Sequence, residues 1–227
     1  MSATGIGRLI ELLGRDALRT GTFTLASGRT SHYYVDGRKV TLSAEGAPLI
    51  AEAVLEVLAA YPGIRAVGGL TMGADPIVGA TLALASRRGR PNLRGFLVRK
   101  QAKGHGTGNL VEGPLEPGSV VAILDDVATT GGSSLQAVDA GEALGCTVGV
   151  GIAVLDRLEG ARAAFEARGL DFRALATIRD LGVEPLAALR PEVEPLEPLT
   201  GPCRGLPRGR AEDGTEGRGK TRSRLVS

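Results

Sequence analysis

Two adjacent carboxylates, Asp125 and Asp126, directly follow an uninterrupted apolar run at residues 120–124. A run of this kind is typical of a strand buried on both faces of a parallel sheet. A segment rich in hydroxyls and glycine, residues 129–134, comes next and opens an apolar-periodic segment at residues 135–144 that predicts a helix. The order therefore places both acids where the strand emerges and puts the glycine-rich loop at a helix N-terminus.

This order predicts a site for a phosphorylated sugar. Glycines allow backbone N–H groups to approach an anion closely, and a helix start contributes partial positive charge, so the loop suits a phosphate. The two carboxylates suit sugar hydroxyls, a divalent metal, or both. The alternative is a strand that ends in solvent-facing acids and is followed by an ordinary helix cap. The sequence has no Gly-Lys-[Ser/Thr] of a Walker-type loop, and no dinucleotide-binding glycine fingerprint follows a strand.

A second segment gathers positive charge. Residues 99–108 hold Arg99, Lys100, Lys103 and His105 together with three glycines, and only Ala102 is apolar between Arg99 and Gly108. We expect a mobile loop, because little in it packs into a core. Closing over a phosphosugar, such a loop would neutralise a diphosphate leaving group and exclude water. The alternative is a solvated basic hairpin.

Strands and helices alternate through the middle of the chain, which predicts an α/β fold with a central parallel sheet flanked by helices. In such sheets ligands bind at the carboxyl ends of the strands, so the loops after Leu70, Val98, Leu124 and Leu155 should converge. Residues 3–19 predict a helix, residues 23–42 predict strand-like pieces around a Ser-Gly turn, and Ser43 is a candidate N-cap for a helix to about residue 60. The strands are predicted at residues 66–70, 93–98, 120–124, 147–155 and 172–178, and the helices at 75–86, 135–144 and 159–168.

Composition favours a single domain in a reducing compartment. The 227 residues suit one α/β domain, and aromatics at 3% leave an aliphatic core. No apolar run is long enough to span a bilayer, and the N-terminus lacks the features of a signal peptide. Cys146 and Cys203 lie far apart in different contexts, so we expect no disulfide, a cytoplasmic protein and no membrane partner.

The C-terminal segment differs from the rest. Residues 201–227 carry seven Lys/Arg and three Asp/Glu within a chain of net charge +2. We expect residues 186–227 to be a disordered tail rich in Pro, Gly and Arg, and residues 1–185 to be the folded domain, with a small N-terminal subdomain at 1–42 and a core at 43–185. A solvated extension is favoured over a nucleic-acid-binding tail, because aromatics are so few.

Three motifs together resemble a known family. Residues 121–133 are similar to the signature of type I phosphoribosyltransferases, four apolar residues followed by Asp-Asp-x-x-Thr-x-Gly-x-[Ser/Thr]. Residues 99–106 resemble the Arg-Lys-x-x-Lys-x-His-Gly loop of orotate phosphoribosyltransferases, and residues 23–31 resemble that family's Phe-x-Leu-x-Ser-Gly-x-x-Ser segment. Arg157, after Leu155 and Asp156, matches a family arginine that contacts orotate. The resemblance spans residues 3 to about 185.

The resemblance implies a type I phosphoribosyltransferase fold, with an N-terminal hood and a mobile catalytic loop, and transfer of phosphoribosyl from 5-phosphoribosyl 1-pyrophosphate to orotate in pyrimidine biosynthesis. It implies five catalytic residues, namely Lys100, Lys103, His105, Asp125 and Asp126, of which the two acids hold the ribose hydroxyls. The implied substrate-binding residues are Arg99 at the pyrophosphate; Val127, Ala128, Thr129, Thr130, Gly131, Gly132 and Ser133 around the 5′-phosphate; Arg157, Ser27, Tyr33 and Tyr34 at orotate; and Gly73, Ala74 and Asp75 at the diphosphate.

The resemblance also implies Mg²⁺ carried by the phosphosugar, with no direct protein ligand, and a homodimer in which the loop at 99–109 reaches the neighbouring site. It implies no nucleic-acid partner and no covalent nucleophile. Two family lysines are missing, at Ala26 and near Gly73, and Arg38 or Lys39 could supply their charge. The alternatives are a type I phosphoribosyltransferase for another base and a non-catalytic regulator that senses the phosphosugar.

Overall fold

The computed structural model describes residues 3–24, 30–101 and 110–186. All of these residues belong to one compact unit, Met1–Leu189. Ser27, Lys103 and His105 lie outside the described residues, and so does the predicted tail from residue 187 onward.

A six-stranded sheet forms the centre of the molecule, with strand order β5-β4-β3-β6-β7-β8. Every neighbouring pair is parallel except β4 and β5. This mostly parallel sheet confirms the predicted α/β fold, and it brings the carboxyl ends of β3, β4, β6 and β7 to one edge. The strands are β3 (Ile64–Leu70), β4 (Arg94–Val98), β5 (Val111–Glu112), β6 (Val120–Ala128), β7 (Thr147–Asp156) and β8 (Asp171–Thr177).

Helices cover both faces of the sheet, which is why its central strands read as continuous apolar runs. In β6 the alternation is visible within four residues: Ala122 and Leu124 pack in one core cluster with α1, α3 and α4, whereas Val121 and Ile123 pack in the other with α5 and α6. The helices are α1 (Ala3–Leu12), α2 (Arg38–Thr41), α3 (Gly46–Ala59), α4 (Asp75–Ala85), α5 (Gly132–Ala143) and α6 (Ala161–Glu166). Short 3-10 turns follow at Ser86–Arg88 and Ile178–Leu181. None of the helices in the described ranges has the length and apolar character needed to cross a bilayer.

The N-terminal strands form a separate two-stranded sheet. Strands β1 (Leu18–Thr24) and β2 (Thr30–Val35) pair antiparallel. Along β2 the side chains alternate, with Ser31, Tyr33 and Val35 buried and the residues between them exposed. Adjacent residues of this strand therefore face opposite sides.

The predicted helix at residues 3–19 is too long. The α-helix ends at Leu12, a π-helical turn occupies Leu13–Ala17, and β1 begins at Leu18. Helical spacing continues through Leu18, but this residue pairs with Val35 instead, so strand pairing overrides the local pattern. Ser43 does support the start of α3, since its Oγ accepts the Gly46 N–H at 2.8 Å.

The signature strand is longer than its apolar run. It continues through Asp125 and Asp126 to Ala128, because β7 extends to Asp156 and keeps pairing with it. The prediction that both acids follow the strand was wrong by four residues.

The predicted helix at 159–168 is shorter at both ends, and its start is delayed by two left-handed residues, Leu158 (φ 59°) and Gly160 (φ 118°). The two-residue β5 is too short to leave a pattern in the sequence.

Candidate active site

A cleft of about 470 Å³ lies at the carboxyl edge of the sheet. The end of β6, the loop after β3, the start of the loop after β4, the first turn of α5 and the segment from β2 into α2 all contribute walls. The lining residues are Tyr34, Val35, Asp36, Gly37, Arg38, Leu70, Thr71, Met72, Gly73, Lys100, Asp125, Asp126, Val127 and Ser133. A larger cavity of about 920 Å³ lies elsewhere, between α3 and α4, and contains none of the predicted site residues.

The Asp125 carboxyl has a raised pKa and a fixed position. Burial, together with the negative charge of Asp126, raises the pKa of Asp125 to about 7, and a hydrogen bond from Ser134 opposes the rise. The Ser134 hydroxyl donates to Asp125 Oδ2 at 2.6 Å from the first turn of α5. The carboxylate is therefore fixed in place and titrates near neutral pH.

Asp126 is held between two glycines from different loops. A Cβ on Gly37 would lie 3.1 Å from Asp126 Oδ2, and a Cβ on Gly73 would lie 2.5 Å from Asp126 Oδ1. The Gly73 backbone approaches the carboxylate more closely than a Cβ would permit, and at Gly37 a Cβ would fit only if the carboxylate moved slightly. The loops after β2 and β3 therefore meet at this acid.

The turn between β6 and α5 presents free donors. Gly131 has φ 86°, a conformation that glycine adopts without strain, and α5 begins at the next residue. Thr130, Gly132 and Ser133 are exposed, and the Thr129 carbonyl accepts the Ala161 N–H at 3.0 Å, which ties the turn to α6. The first-turn N–H groups and hydroxyls thus form a cup suited to a phosphate.

Positive charge reaches the cleft from two sides. Lys100 lines it, with its backbone carbonyl accepting Gln136 Nε2 at 3.2 Å. Arg38 lines it from α2, with Nε 2.9 Å from Asp36 Oδ1. Arg99 lies instead in an adjoining groove with Asp75, where its Nε is 3.1 Å from Glu112 Oε1. Lys39, the other candidate for the missing charge, lines a further groove beside Leu42 and Met72.

Arg157 lies outside the cleft, in a buried cluster after β7. The residue is 6% exposed, and its Nη2 is 2.8 Å from Glu159 Oε1. The guanidinium carbon lies 4.8 Å from the centre of the Tyr33 ring, a cation–π contact. Tyr33 is 2% exposed and its hydroxyl is 3.2 Å from Glu159 Oε1.

The structure brings one subset of the predicted residues together and leaves the others around it. Seven of them line the cleft: Tyr34, Gly73, Lys100, Asp125, Asp126, Val127 and Ser133. Tyr33 and Tyr34 cannot both face it, because they are neighbours on β2 and point to opposite sides. The remaining described residues lie beside it, either buried, as Ala74 and Ala128, or in the turns and grooves given above.

Three residues that hold the site's side chains in place, among others that line the cleft, were not predicted from the sequence. Ser134 donates a hydrogen bond to Asp125 and directly follows the motif at residues 121–133. Its position in the first turn of the predicted helix was the only sequence signal for this role. Glu159 follows Arg157 at a spacing of two, a signal that becomes meaningful only once the left-handed Leu158 between them is known. Gly37 left no signal, because its closeness to Asp126 depends on the tertiary fold.

Known proteins resemble the chain over most of its length. The orotate phosphoribosyltransferase of Rhodopirellula baltica is 48% identical over 182 residues, covering 78% of this chain and 94% of that protein. That of Thermosynechococcus vestitus is also 48% identical, over 76% of this chain and 90% of that protein. No family model matches.

A solved structure of another orotate phosphoribosyltransferase is also similar to this chain. Orotate phosphoribosyltransferase of Mycobacterium tuberculosis, in complex with 5-phospho-α-D-ribosyl 1-diphosphate, superposes with a TM-score of 0.67 at 37% identity, over 79% of this chain and 99% of that one. Identity and coverage at these levels, on a type I phosphoribosyltransferase fold, place the chain in the orotate phosphoribosyltransferase family.

Proposed function

We propose that this chain transfers the phosphoribosyl group of 5-phosphoribosyl 1-pyrophosphate to orotate, releasing pyrophosphate and orotidine 5′-monophosphate in pyrimidine biosynthesis. The observation that carries the proposal is the cleft in which Asp125 and Asp126 stand beside the glycine-rich N-terminus of α5. Relatives at 48% identity that bear the name of this activity support it.

The phosphosugar is bound by the end of β6 and the turn after it. The Asp125 and Asp126 carboxylates accept hydrogen bonds from the ribose hydroxyls, and the turn from Ala128 to Ser133 receives the 5′-phosphate, with Val127 beside it. Positive partial charge at the start of α5 favours the dianion. Because Ser134 fixes Asp125 and two glycines enclose Asp126, the ribose meets acceptors whose positions are set before it binds.

The pyrophosphate leaves towards the cations. Lys100 lines the cleft, Arg99 lies in the adjoining groove, and Lys103 and His105 belong to the same loop outside the described residues. The anomeric carbon develops oxocarbenium character as its bond to pyrophosphate breaks, and the orotate nitrogen attacks the opposite face. Fixed positive charge stabilises the departing oxygen, so catalysis is chiefly positioning and electrostatics. Gly73, Ala74 and Asp75 would meet the diphosphate through backbone N–H groups, and Arg38 would supply the charge of a missing family lysine.

Mg²⁺ bound to the diphosphate would neutralise charge on the leaving group. Mg²⁺ commonly takes one or two carboxylates alongside substrate phosphates and water. Among the described residues no three potential ligands are grouped to hold a metal, and the ion would keep its ligands on the phosphosugar, with the Asp125 and Asp126 carboxylates beside it in the cleft. The donor set therefore fits an ion that arrives with the substrate.

Orotate would lie against the segment from Ser27 to Tyr34 and towards Arg157. The Tyr34 ring lines the cleft and is 39% exposed, whereas the Tyr33 ring packs against the Arg157 guanidinium. A guanidinium is the side chain best suited to a carboxylate such as that of orotate.

We further infer a homodimer in which the loop at 99–109 reaches the neighbouring subunit's site. Leu42 and Met72 support it, because these apolar side chains are 71% and 68% exposed; Met72 lines the cleft and both line the neighbouring groove. We also propose that residues 1–185 are the catalytic domain, 186–227 an appended tail, and the cytoplasm the place of action.

Base selectivity tests the proposal. Purified protein is mixed with phosphoribosyl pyrophosphate and Mg²⁺, and ultraviolet absorbance is followed with orotate, uracil, hypoxanthine or adenine. Loss of the orotate signal, only when phosphosugar and metal are both present, is the expected result. Consumption of another base, or of none, would contradict the proposal.

A further inference from the structure

The side chains of Arg157 and Glu159 form an enclosed ion pair. The side chains of both residues are 8% exposed, whereas the surface ion pairs Arg8–Glu45, Arg15–Asp16 and Arg38–Asp36 each have at least one side chain that is more than 30% exposed. Tyr33 closes the cluster, with its ring on the guanidinium and its hydroxyl on the carboxylate. A strand of the N-terminal sheet thereby holds a residue of the central fold.

The local backbone is shaped to bring these side chains together. Arg157 N–H donates to the Ala128 carbonyl at 2.9 Å, which fixes the start of the turn to the end of β6. Leu158 then adopts φ 59°, a strained conformation for a large residue, and its N–H is held by Asp156 Oδ1 at 2.8 Å. This left-handed residue turns the chain so that side chains two positions apart meet.

One edge of the Arg157 guanidinium remains without an aligned acceptor. Within the described part of the chain, Nε and Nη2 are buried and have no hydrogen-bond partner of good geometry, although Glu159 Oε1 is 2.8 Å from Nη2. Nε and Nη2 form a donor pair that can bind a carboxylate with two parallel hydrogen bonds, and we call this pair the Arg157 fork. Glu159 thus neutralises the charge of the guanidinium but leaves the hydrogen-bond donors of the Arg157 fork without an acceptor.

We propose that Glu159, supported by Tyr33, is a positioning residue that holds the Arg157 fork ready for the carboxylate of the base substrate. This inference rests on the proposed function. Glu159 Oε1 is itself held by the Tyr33 hydroxyl and sits off the line of the donors, so it orients the guanidinium rather than occupying the fork. The fork then distinguishes an anionic base from a neutral one, because an uncharged base leaves the buried donors unpaired.

Glu159→Gln tests the role, since it removes the charge and keeps the shape. We expect KM for orotate to rise on the order of tenfold, with kcat and KM for phosphoribosyl pyrophosphate within about twofold, because only binding of the anionic base depends on the fork. The preference for orotate over uracil should fall in parallel. Tyr33→Phe, which keeps the ring and loses the hydroxyl, should shift KM for orotate in the same direction and less. Glu166→Gln, at an exposed position on α6, is the matched control and should leave all constants unchanged.

The outcomes separate cleanly. An active wild-type enzyme with an unchanged KM for orotate in Glu159→Gln would overturn the positioning role. A lower KM would overturn it too, because Glu159 would then be competing with the substrate for Arg157. If Glu159→Gln does not fold, Tyr33→Phe decides by the same readout. A wild-type protein that consumes no orotate would overturn the proposed function itself, and this inference with it.

Discussion

The Gly73 backbone lies against the carboxylate of Asp126, so close that a Cβ at residue 73 would be 2.5 Å from Oδ1. The loop after β3 is thus fitted to the acid at the end of β6. Gly73→Ala forces either the loop or the carboxylate to move.

We predict that Gly73→Ala lowers kcat/KM by roughly 10- to 100-fold, since displacing a positioned group by about 1 Å costs that order of rate. Steady-state kinetics with varied phosphoribosyl pyrophosphate would measure it. Gly79→Ala is the control, because a Cβ there meets nothing within 4 Å on α4. It should leave activity intact and raise stability by about 0.5–1 kcal/mol. Full activity in Gly73→Ala would show that Asp126 is not held as described.

Affinity for the phosphosugar should depend on pH through Asp125. Burial raises the pKa of this carboxyl from 3.8 to about 7, and ribose hydroxyls need the ionised form as an acceptor. The Kd for phosphoribosyl pyrophosphate, measured by calorimetry, should therefore rise as pH falls from 8 to 6. Asp125→Asn, which cannot titrate, should bind more weakly and lose part of this dependence. If Kd changed equally with pH in both proteins, a group other than Asp125 would be responsible for the pH dependence.

The same shift affects stability with a defined sign. The folded protein holds a proton on Asp125 between pH 3.8 and about 7, where the unfolded chain has lost it. The stabilising contribution of this group is complete below pH 3.8 and is lost as pH rises through about 7. Because Asn does not titrate, the melting temperature of Asp125→Asn should rise relative to that of the wild type as pH increases from 3.8 to about 7. A constant difference between the two melting curves across this range would contradict the assignment.

Lys100→Ala should lower turnover far more than stability. The side chain lines the cleft at the start of the cationic loop, and its backbone stays anchored through Gln136. Loss of one charge that stabilises the leaving group costs on the order of 100-fold in kcat. Arg87→Ala, at an exposed position after α4, controls for the loss of a surface cation. Undiminished turnover at equal thermal stability would remove Lys100 from the mechanism.

Gly151→Ala should destabilise the fold, because a Cβ at this position on β7 would lie 2.3 Å from Phe165 Cε1. Phe165 is fully buried and packs against β7 from α6, so the clash has no simple relief. We expect a loss of about 1–3 kcal/mol, typical of an overpacked core, in urea unfolding. Gly141→Ala on α5, where a Cβ meets nothing within 4 Å, should show no such loss. Equal stability of the two variants would mean that Phe165 moves freely.

The sequence predicts the sheet and its ligand-binding edge because the signals are local. The apolar runs of β6 and β7, the glycine-rich turn at 129–132 and the alternation with helices all depend on neighbours in the chain. These elements were predicted within a few residues. Their ends were not, because Asp125 and Asp126 remain in β6 only through pairing with β7.

Side-chain placement depends on tertiary contacts that leave no local trace. Tyr33 and Tyr34 look alike in the sequence, yet the pleat of β2 sends one into the Arg157 cluster and the other into the cleft. In the sequence Glu159 looks like a surface acid, and only the left-handed conformation of Leu158 places its side chain against Arg157. Composition could not reveal either relationship.

The most direct test of the central claim compares orotidine monophosphate formation by the wild-type protein and by the Asp125→Asn/Asp126→Asn double variant, with folding checked by circular dichroism. We predict that the wild type forms the product from orotate, phosphoribosyl pyrophosphate and Mg²⁺, and that the folded double variant is slower by at least about 100-fold, since its ribose acceptors have lost their charge. Product formation at equal rates by both proteins would contradict the assignment of the reaction to this cleft.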